Sequence, residues 1–489
     1  MKTKTLLSLV LGLASATSLM ATTVDVYITG STAFRANVFQ ACCRLYSGST
    51  PTAIYFGTNS AVGGDANLNA KTASWCMTGT PITGLTNIGA ANTLVIHGLF
   101  NGSIQGIKTV AQAQKLQFAN VGGTFVSNSI ASSAGTPVGG VSLYLCNTFV
   151  SKTPTIGFSD SSADAAPYPA TGNYAEEEVA VQPFVICKSW AWGAAALAVS
   201  NINNVSWEQM EYGIPQGRIP LSAWTYKNSD TNNWVYLLQR TLDSGTRRCE
   251  TASMYYQYGD PVGIYIYDRT NNNWFTPTVL ANSSFGSAPN GVVGGAGLTN
   301  ILTGVPANLE WGYGYVAGGD IANSLNITNS FNGANIPATA NQAIAMLSIG
   351  DAKSVGGSNW AQVVSFNGYW PTAVGGGLRG IANNTTNDYS PVTSGYYPLW
   401  GKEVLVHLVD PSQLTVNDQT ITKTQIGSQT TPGSFLGVFN AQTLINGGSP
   451  VTGSIENEIE LSKANGATAI RLSDMANKRG SVGGIITPF

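Results

Sequence analysis

Short apolar runs alternate along this chain with polar breaks, and three of those breaks carry a glycine beside hydroxyl residues. Val24–Ile28 alternates like a strand and gives way to Gly30-Ser31-Thr32. A helical run follows, with Phe34, Val38, Cys42 and Leu45 on one face of a 3.6-residue repeat. Thr93–Ile96 predicts a short buried strand, Gly102-Ser103 a break, and Ile104 towards Leu116 a helix. Ile156–Asp160 predicts a strand ending in a turn, Val179–Ile186 a hydrophobic strand, and Trp190–Val199 a helix. Trp234–Leu238 predicts a further strand, and Arg247–Tyr258 a helix behind the segment Arg240–Arg247. Late in the chain stand a strand at Val404–Leu408 and a helix near Ile455–Asn465. Residues 47–92 are rich in Gly, Asn and Thr and predict a loop-bearing insertion. Residues 259–300 and 317–345 have weak periodicity, and no repeat of fixed period runs through the chain.

Strand, small polar residue, helix is the grammar of an α/β protein. Three junctions share one chemistry: Ser31-Thr32, Ser103 and Ser244-Gly245-Thr246 all place hydroxyls and N–H groups at a helix start. A helix N-terminus has unsatisfied donors and partial positive charge, so it suits an anion. Ligands of α/β sheets sit at the C-terminal ends of strands. Three such ends meeting in one cleft make a cage of neutral donors for an oxyanion. Arg240 adds a planar fork, and Gly245 lets the backbone approach a ligand closely. Each junction taken alone is equally a helix cap, with Asp243 or Ser244 as the capping residue of the third.

The 489 residues suffice for two or three domains. Charged residues are 10% of the chain, against roughly 25% in average proteins. Net charge is −2, which excludes nucleic acid and anionic membrane surfaces as expected partners. Lys2 and Lys4 before the apolar run Leu6–Leu13, with Ala16 and Ala21 as cleavage points, form an export signal too short to span a membrane. The mature chain is expected to be soluble in the periplasm or outside the cell. In that setting Cys42, Cys43, Cys76, Cys146, Cys187 and Cys249 suggest disulfides, Cys42 or Cys43 with Cys76 being the most local pairing. His97 and His407 are far apart and match no zinc spacing or catalytic triad, so neither metal nor cofactor is expected.

Taken in order, these segments resemble the periplasmic phosphate-binding proteins of ABC importers. Ile28–Phe34 is similar to that family's Thr-Gly-x-Gly-x-Thr-Phe loop, and Gly102–Lys108 to its Gly-Ser-x-x-Gly-Ile-Lys segment. Gly157–Asp160 resembles its Gly-x-Ser-Asp turn, and Arg240–Thr246 its Arg-x-x-x-Ser-Gly-Thr motif. Trp311–Tyr315 and Gly395–Leu399 resemble two landmarks without ligands. The resemblance spans about residues 24–410, with unmatched insertions. It departs from the family at Ser31, where relatives have a second glycine, and at Arg35, where proline is common.

The resemblance implies a two-lobed, hinged fold: a signal over 1–21, lobe one over 22–175 and 365–489, and lobe two over 176–364. It also implies a ligand set for inorganic phosphate. Thr32, Ala33, Phe34 and Ser103 would donate from lobe one, and Arg240, Ser244, Gly245 and Thr246 from the facing wall. Asp160 would be the acceptor. Phosphate keeps a proton near neutral pH and sulfate does not, so a carboxylate accepts from one and repels the other. The implied partner is an ABC permease that reads cleft closure, and no catalysis is implied. The low charge and long insertions support a rival expectation, a surface or filament-forming protein that self-assembles on the same fold. A phosphoester hydrolase finds no metal cluster or activated nucleophile in the sequence.

Overall fold

The computed structural model describes residues 21–57, 74–100, 102–129, 139–162, 174–189, 202–241, 244–257, 314–315, 318–325, 342–352, 363–372, 388–408, 420–442, 449–462, 468–479 and 486–488, with Val355 and short pieces between 260 and 275. The expected export signal and the expected helix Trp190–Val199 lie outside the described residues.

Fourteen described strands join in one mixed sheet. In chain order they are β1 (Thr23–Gly30), β2 (Ala53–Phe56), β3 (Ser74–Gly79), β4 (Thr93–Leu99), β5 (Gly123–Ser129), β6 (Gly139–Cys146), β7 (Ile156–Ser159), β8 (Tyr174–Lys188), β9 (Asn204–Val205), β10 (Arg218–Pro220), β11 (Trp234–Leu237), β12 (Gln342–Ser348), β13 (Val363–Phe366) and β14 (Trp400–Leu408). Their spatial order is β10-β11-β12-β8-β14-β7-β1-β4-β3-β2-β6-β5, and β13 pairs with β8 and β9. The helices that bear on function are α1 (Arg35–Cys43), α2 (Ser103–Ala111), α3 (Gly245–Ser253), α4 (Gly318–Leu325) and α5 (Ile455–Ser462). The chain is thus α/β, as the periodicity predicts.

Two buried cores flank this sheet. The first gathers Val26, Ile28, Phe34, Phe39, Trp75, Phe158, Leu405 and Phe439. The second gathers Phe184, Ile186, Tyr236, Leu237, Tyr315, Ile344, Tyr397 and Trp400. Strand β8 belongs to both. Its first part pairs with β14 from Tyr174↔Leu408 to Pro183↔Trp400, and its last residues pair with β12 from Phe184↔Ser348 to Lys188↔Ile344. Val179 and Ala180 sit in the first core, and Phe184–Cys187 in the second. The two lobes are therefore stitched by continuous strands.

Strands β1, β4 and β7 run parallel, so Gly30, Leu99 and Ser159 end on the same side of the sheet. Three glycines set how closely α2 packs there. Gly30 has φ +127, and Gly106 lies so near that an added Cβ would stand 2.6 Å from Phe158 O and 2.7 Å from Gly30 Cα. Gly157 meets the Gly106 carbonyl from the other side. Only glycine fits these approaches of backbone to backbone.

Two expectations are corrected. Residues 47–92 do more than form a loop-bearing insertion: they supply β2 and β3, whose buried Trp75 and Met77 join the first core. A short apolar stretch suffices for a strand once neighbours pair with it. The six cysteines are all free thiols and all buried. Cys42 and Cys43 lie on α1 in the first core. Cys76 points to the opposite face of β3 and packs with Val95, Ala119 and Cys146. The sheet stands between the two partners that proximity in sequence suggests.

Candidate functional site

The loop after β1 begins with the tight turn at Gly30. The Ser31 N–H donates to Phe158 O at 2.9 Å, and the Phe34 N–H donates to Ser31 Oγ at 3.2 Å. These bonds fold residues 31–34 across the end of the sheet. Ser31, Thr32 and Phe34 are buried, and Ala33 packs against the second core. The loop after β4 is tied to it, since the Gly102 N–H donates to Gly30 O at 3.1 Å. Ser103 opens α2 there and is buried.

The facing wall comes from the chain after β11. Ser244 caps α3 by accepting from the Arg247 N–H at 3.3 Å. Of the two candidate caps, Ser244 takes the role, and Asp243 lies outside the described residues. Helix α3 starts at Gly245 and ends at Ser253, short of Tyr258, because Tyr255 turns with φ 65. Arg240 lies under this helix start and is 3% exposed, too little for water to solvate the guanidinium. Its Nε donates to Tyr315 O at 3.2 Å and its Nη2 to Thr32 Oγ1 at 3.3 Å, a bond that crosses from one wall to the other. Of the landmark Trp311–Tyr315, residues 314–315 are described. The Tyr315 N–H donates to Gln239 O and the Thr241 N–H to Tyr315 O, fixing the Arg240 backbone. In the other landmark, Tyr397 Oη donates to Phe184 O at 2.8 Å, at the point where β8 changes core.

Asp160 closes the arrangement. The Thr246 hydroxyl donates to its Oδ2 at 3.3 Å, and the Cys249 thiol to its carbonyl at 3.0 Å. Its Oδ1 has no hydrogen-bond partner among the described residues and sits directly over Gly245. A Cβ on Gly245 would overlap that oxygen and stand 2.7 Å from Ser103 Cβ. Two of the junctions noted in the sequence, Ser103 and Gly245-Thr246, therefore meet at this carboxylate, and the third is tied to the facing wall through the Arg240–Thr32 bond. Burial raises the Asp160 pKa, while the Ser103 hydroxyl, Arg240, its own N–H and Thr246 oppose the rise. Burial likewise lowers the Arg240 pKa, with Asp351, Asp160 and Asp320 opposing, yet a guanidinium keeps its charge throughout the physiological range.

Besides Arg35, charged groups gather here that the sequence motifs do not mark. Arg35 reaches Asp351 at 4.0 Å from the other core. Asp351 accepts from Ser348 Oγ at 2.9 Å and lies against Gly318, at the start of α4. Next to Arg240, the Gln239 amide donates to Glu250 at 3.2 Å, and burial pushes that carboxyl up to about 8. Glu403 on β14 is fully buried near Ser31 and Asp160. A lone glutamate among the apolar residues of Trp400–Leu408 is the one sequence signal that pointed to it. Among the described residues, no group of three His, Cys, Asp or Glu is placed to bind a metal.

No protein-family model matches the chain, and no curated protein matches it. Solved structures do resemble it. A putative phosphate ABC transporter substrate-binding protein with bound phosphate from Clostridium perfringens is 11% identical, over 78% of this chain and 86% of that one, with a TM-score of 0.35. An ABC-type phosphate transport receptor from Vibrio cholerae is 12% identical, over 80% and 91%, with a TM-score of 0.34. A possible phosphate binding protein from Planctomyces limnophilus is 10% identical, over 81% and 84%, with a TM-score of 0.30.

Proposed function

We propose that this chain is an exported, non-enzymatic binding protein that captures inorganic phosphate between its lobes and presents it to an ABC permease. The observation that carries this reading is the buried Asp160 Oδ1, unpartnered among the described residues, over the first turn of α3 and beside Ser103. Thr32, Ala33, Phe34, Ser103, Ser244, Gly245 and Thr246 would surround the anion with hydroxyl and N–H donors, and Arg240 would supply charge. Hydrogen bonds to charged groups contribute roughly 1.5–3 kcal/mol each, and micromolar affinity needs only about −8 kcal/mol. A handful of such bonds is enough after desolvation and closure are subtracted. Asp160 would accept the phosphate proton and so exclude sulfate. The two lobes would close about β8 and β14, and closure is what a permease could read. No described helix is long and apolar enough to cross a membrane.

Calorimetric titration of the mature chain with phosphate and with sulfate tests this, beside Asp160→Asn and Arg240→Ala. Heat with phosphate, none with sulfate, and at least tenfold weaker binding by Arg240→Ala are expected. Absence of heat with phosphate would sink the importer reading, and equal affinity for sulfate would sink the role of Asp160.

The rival, self-assembly into a surface or filament structure, has one observation in its favour. Strand β5 lies at an edge of the sheet with Phe125 52% and Val126 48% exposed. An apolar edge strand is a template for pairing with another chain. Ordered polymers in electron micrographs of the same sample would support this rival.

A further inference from the structure

Glu403 has no part in the expected ligand set, yet it is 0% exposed and neither of its carboxyl oxygens finds a hydrogen-bond partner among the described residues. The Ser31 hydroxyl lies beside it and favours its charged form. Strand pairing explains where it points. The pairing of β14 with β7 runs through Leu405↔Phe158 and ends at Val404↔Ser159, so Glu403 and Asp160 are the next residues beyond it, close enough for the Asp160 charge to act on Glu403. On β14, Glu403 lies on the face that carries Leu405 into the first core. Like charges brought this close on neighbouring strands are unfavourable.

The surroundings decide which of the two ionises. Asp160 has the Thr246 hydroxyl, Ser103 and Arg240 to stabilise its charge. Glu403 pairs with Ala180 across β8 and has Ser31 from the first loop beside it. No cation reaches it among these. Lys402, beside it in sequence, is turned to the exposed Glu178 at 2.5 Å. Farther along the same face, His407 bonds Glu177 at 3.3 Å. Burial and the Asp160 charge together push the Glu403 carboxyl far above the usual carboxylate range.

We propose that the Asp160–Glu403 pair keeps one proton at neutral pH, seated on Glu403, and that this confines phosphate binding to the pH range in which the pair carries a single negative charge. Glu403 is thus a positioning residue, acting on the anion through Asp160. A second negative charge behind Asp160 would oppose any anion, so the proton on Glu403 is a condition of binding. The apparent pKa values belong to the pair. The second half of the proposal rests on the phosphate reading of the cleft.

The test has two arms on the mature chain. Without ligand, the infrared band of a protonated carboxyl is followed from acid to alkaline pH for the unmutated protein, Glu403→Gln and Asp160→Asn. Glu250 adds to the band in every sample, so the difference from Glu403→Gln is read. A component at neutral pH that Glu403→Gln removes, and that Asp160→Asn loses at lower pH, is expected. No such component overturns the proposal whether or not phosphate binds, and Asp160→Asn reports even if Glu403→Gln fails to fold. In the second arm, phosphate affinity is measured over the same range. It should weaken by about tenfold per pH unit beyond the pair's upper pKa in the unmutated protein and stay flat there in Glu403→Gln. Identical profiles overturn the link to binding. A carboxyl band with no phosphate heat at any pH sinks the phosphate reading and leaves the proton pair standing.

Discussion

Replacing Gly245 by alanine isolates the convergence of the two walls. Gly245 is helical, so no forbidden backbone angle confuses the result, and in an ordinary helix alanine would gain up to about 1 kcal/mol over glycine. Here the added Cβ would overlap Asp160 Oδ1, stand 2.6 Å from its Cγ and 2.7 Å from Ser103 Cβ, where ordinary contact begins at 3.4 Å. Asp160 must retreat by about 0.8 Å at Cγ, and Ser103 blocks part of that path. Overpacking of this kind costs about 1–3 kcal/mol of stability. The retreat also parts Asp160 from the first turn of α3. Losing two hydrogen bonds to a charged ligand costs about 3 kcal/mol at the low end, or roughly 100-fold in Kd. The assays are urea unfolding and phosphate calorimetry. Gly350→Ala serves as the control, since it is helical too and its nearest obstacle is Thr468 Cγ2 at 3.7 Å, so it should leave phosphate binding unchanged and stability equal or up to about 1 kcal/mol higher. A Gly245→Ala protein that is as stable as the parent and binds phosphate equally well would refute the placement of Asp160 over α3.

Three further outcomes follow from the fold. Gly106→Ala drives a methyl onto Phe158 O and Gly30 Cα, which are backbone atoms that cannot rotate away, and should lower the urea midpoint by the equivalent of about 2 kcal/mol or more; an unchanged midpoint would show that α2 can slide. Burial works against the ionised forms of Asp25 and Glu177, but His97 with Thr420, and His407 with Asn440, hold both below their usual range. Their contribution to stability is therefore present above the unfolded carboxylate values and lost as pH falls through the folded ones, so Asp25→Asn should flatten the acid side of a stability–pH curve. Alkylation without reductant should label six thiols after unfolding and almost none before it, because every cysteine is free and buried; a pair protected in the unfolded chain would restore the disulfide expectation.

The sequence made the parallel heart of the fold legible because each strand there ends in, or is followed within three residues by, a glycine or small polar residue. Val24–Ile28, Thr93–Ile96 and Ile156–Asp160 all fall on observed strands, and Ser103 and Gly245 stand at observed helix starts. Helix ends were less legible: α2 stops at Ala111 instead of Leu116, with Ala113 at φ 51, a choice made by tertiary contacts. Glu403 and Asp351 were hidden for a different reason. Their meaning comes from which strand or helix lies beside them, and β14 and α4 reach the site from distant parts of the chain. The cysteines misled because parity along β3, not distance along the chain, decides which thiols face each other.

Strand β8 has a consequence for the molecule as a mechanical object. Its pairing runs from one core into the other with one register shift between Glu178 and Ala180, and β14 accompanies it across, with Leu405 in one core and Trp400 in the other. A protease cut in any single connecting loop would leave both rungs in place, so the pieces would travel together through a native gel. Melting of one lobe would break strands on which the other also depends. What looks like a pair of bodies is, for heat and for proteases, one.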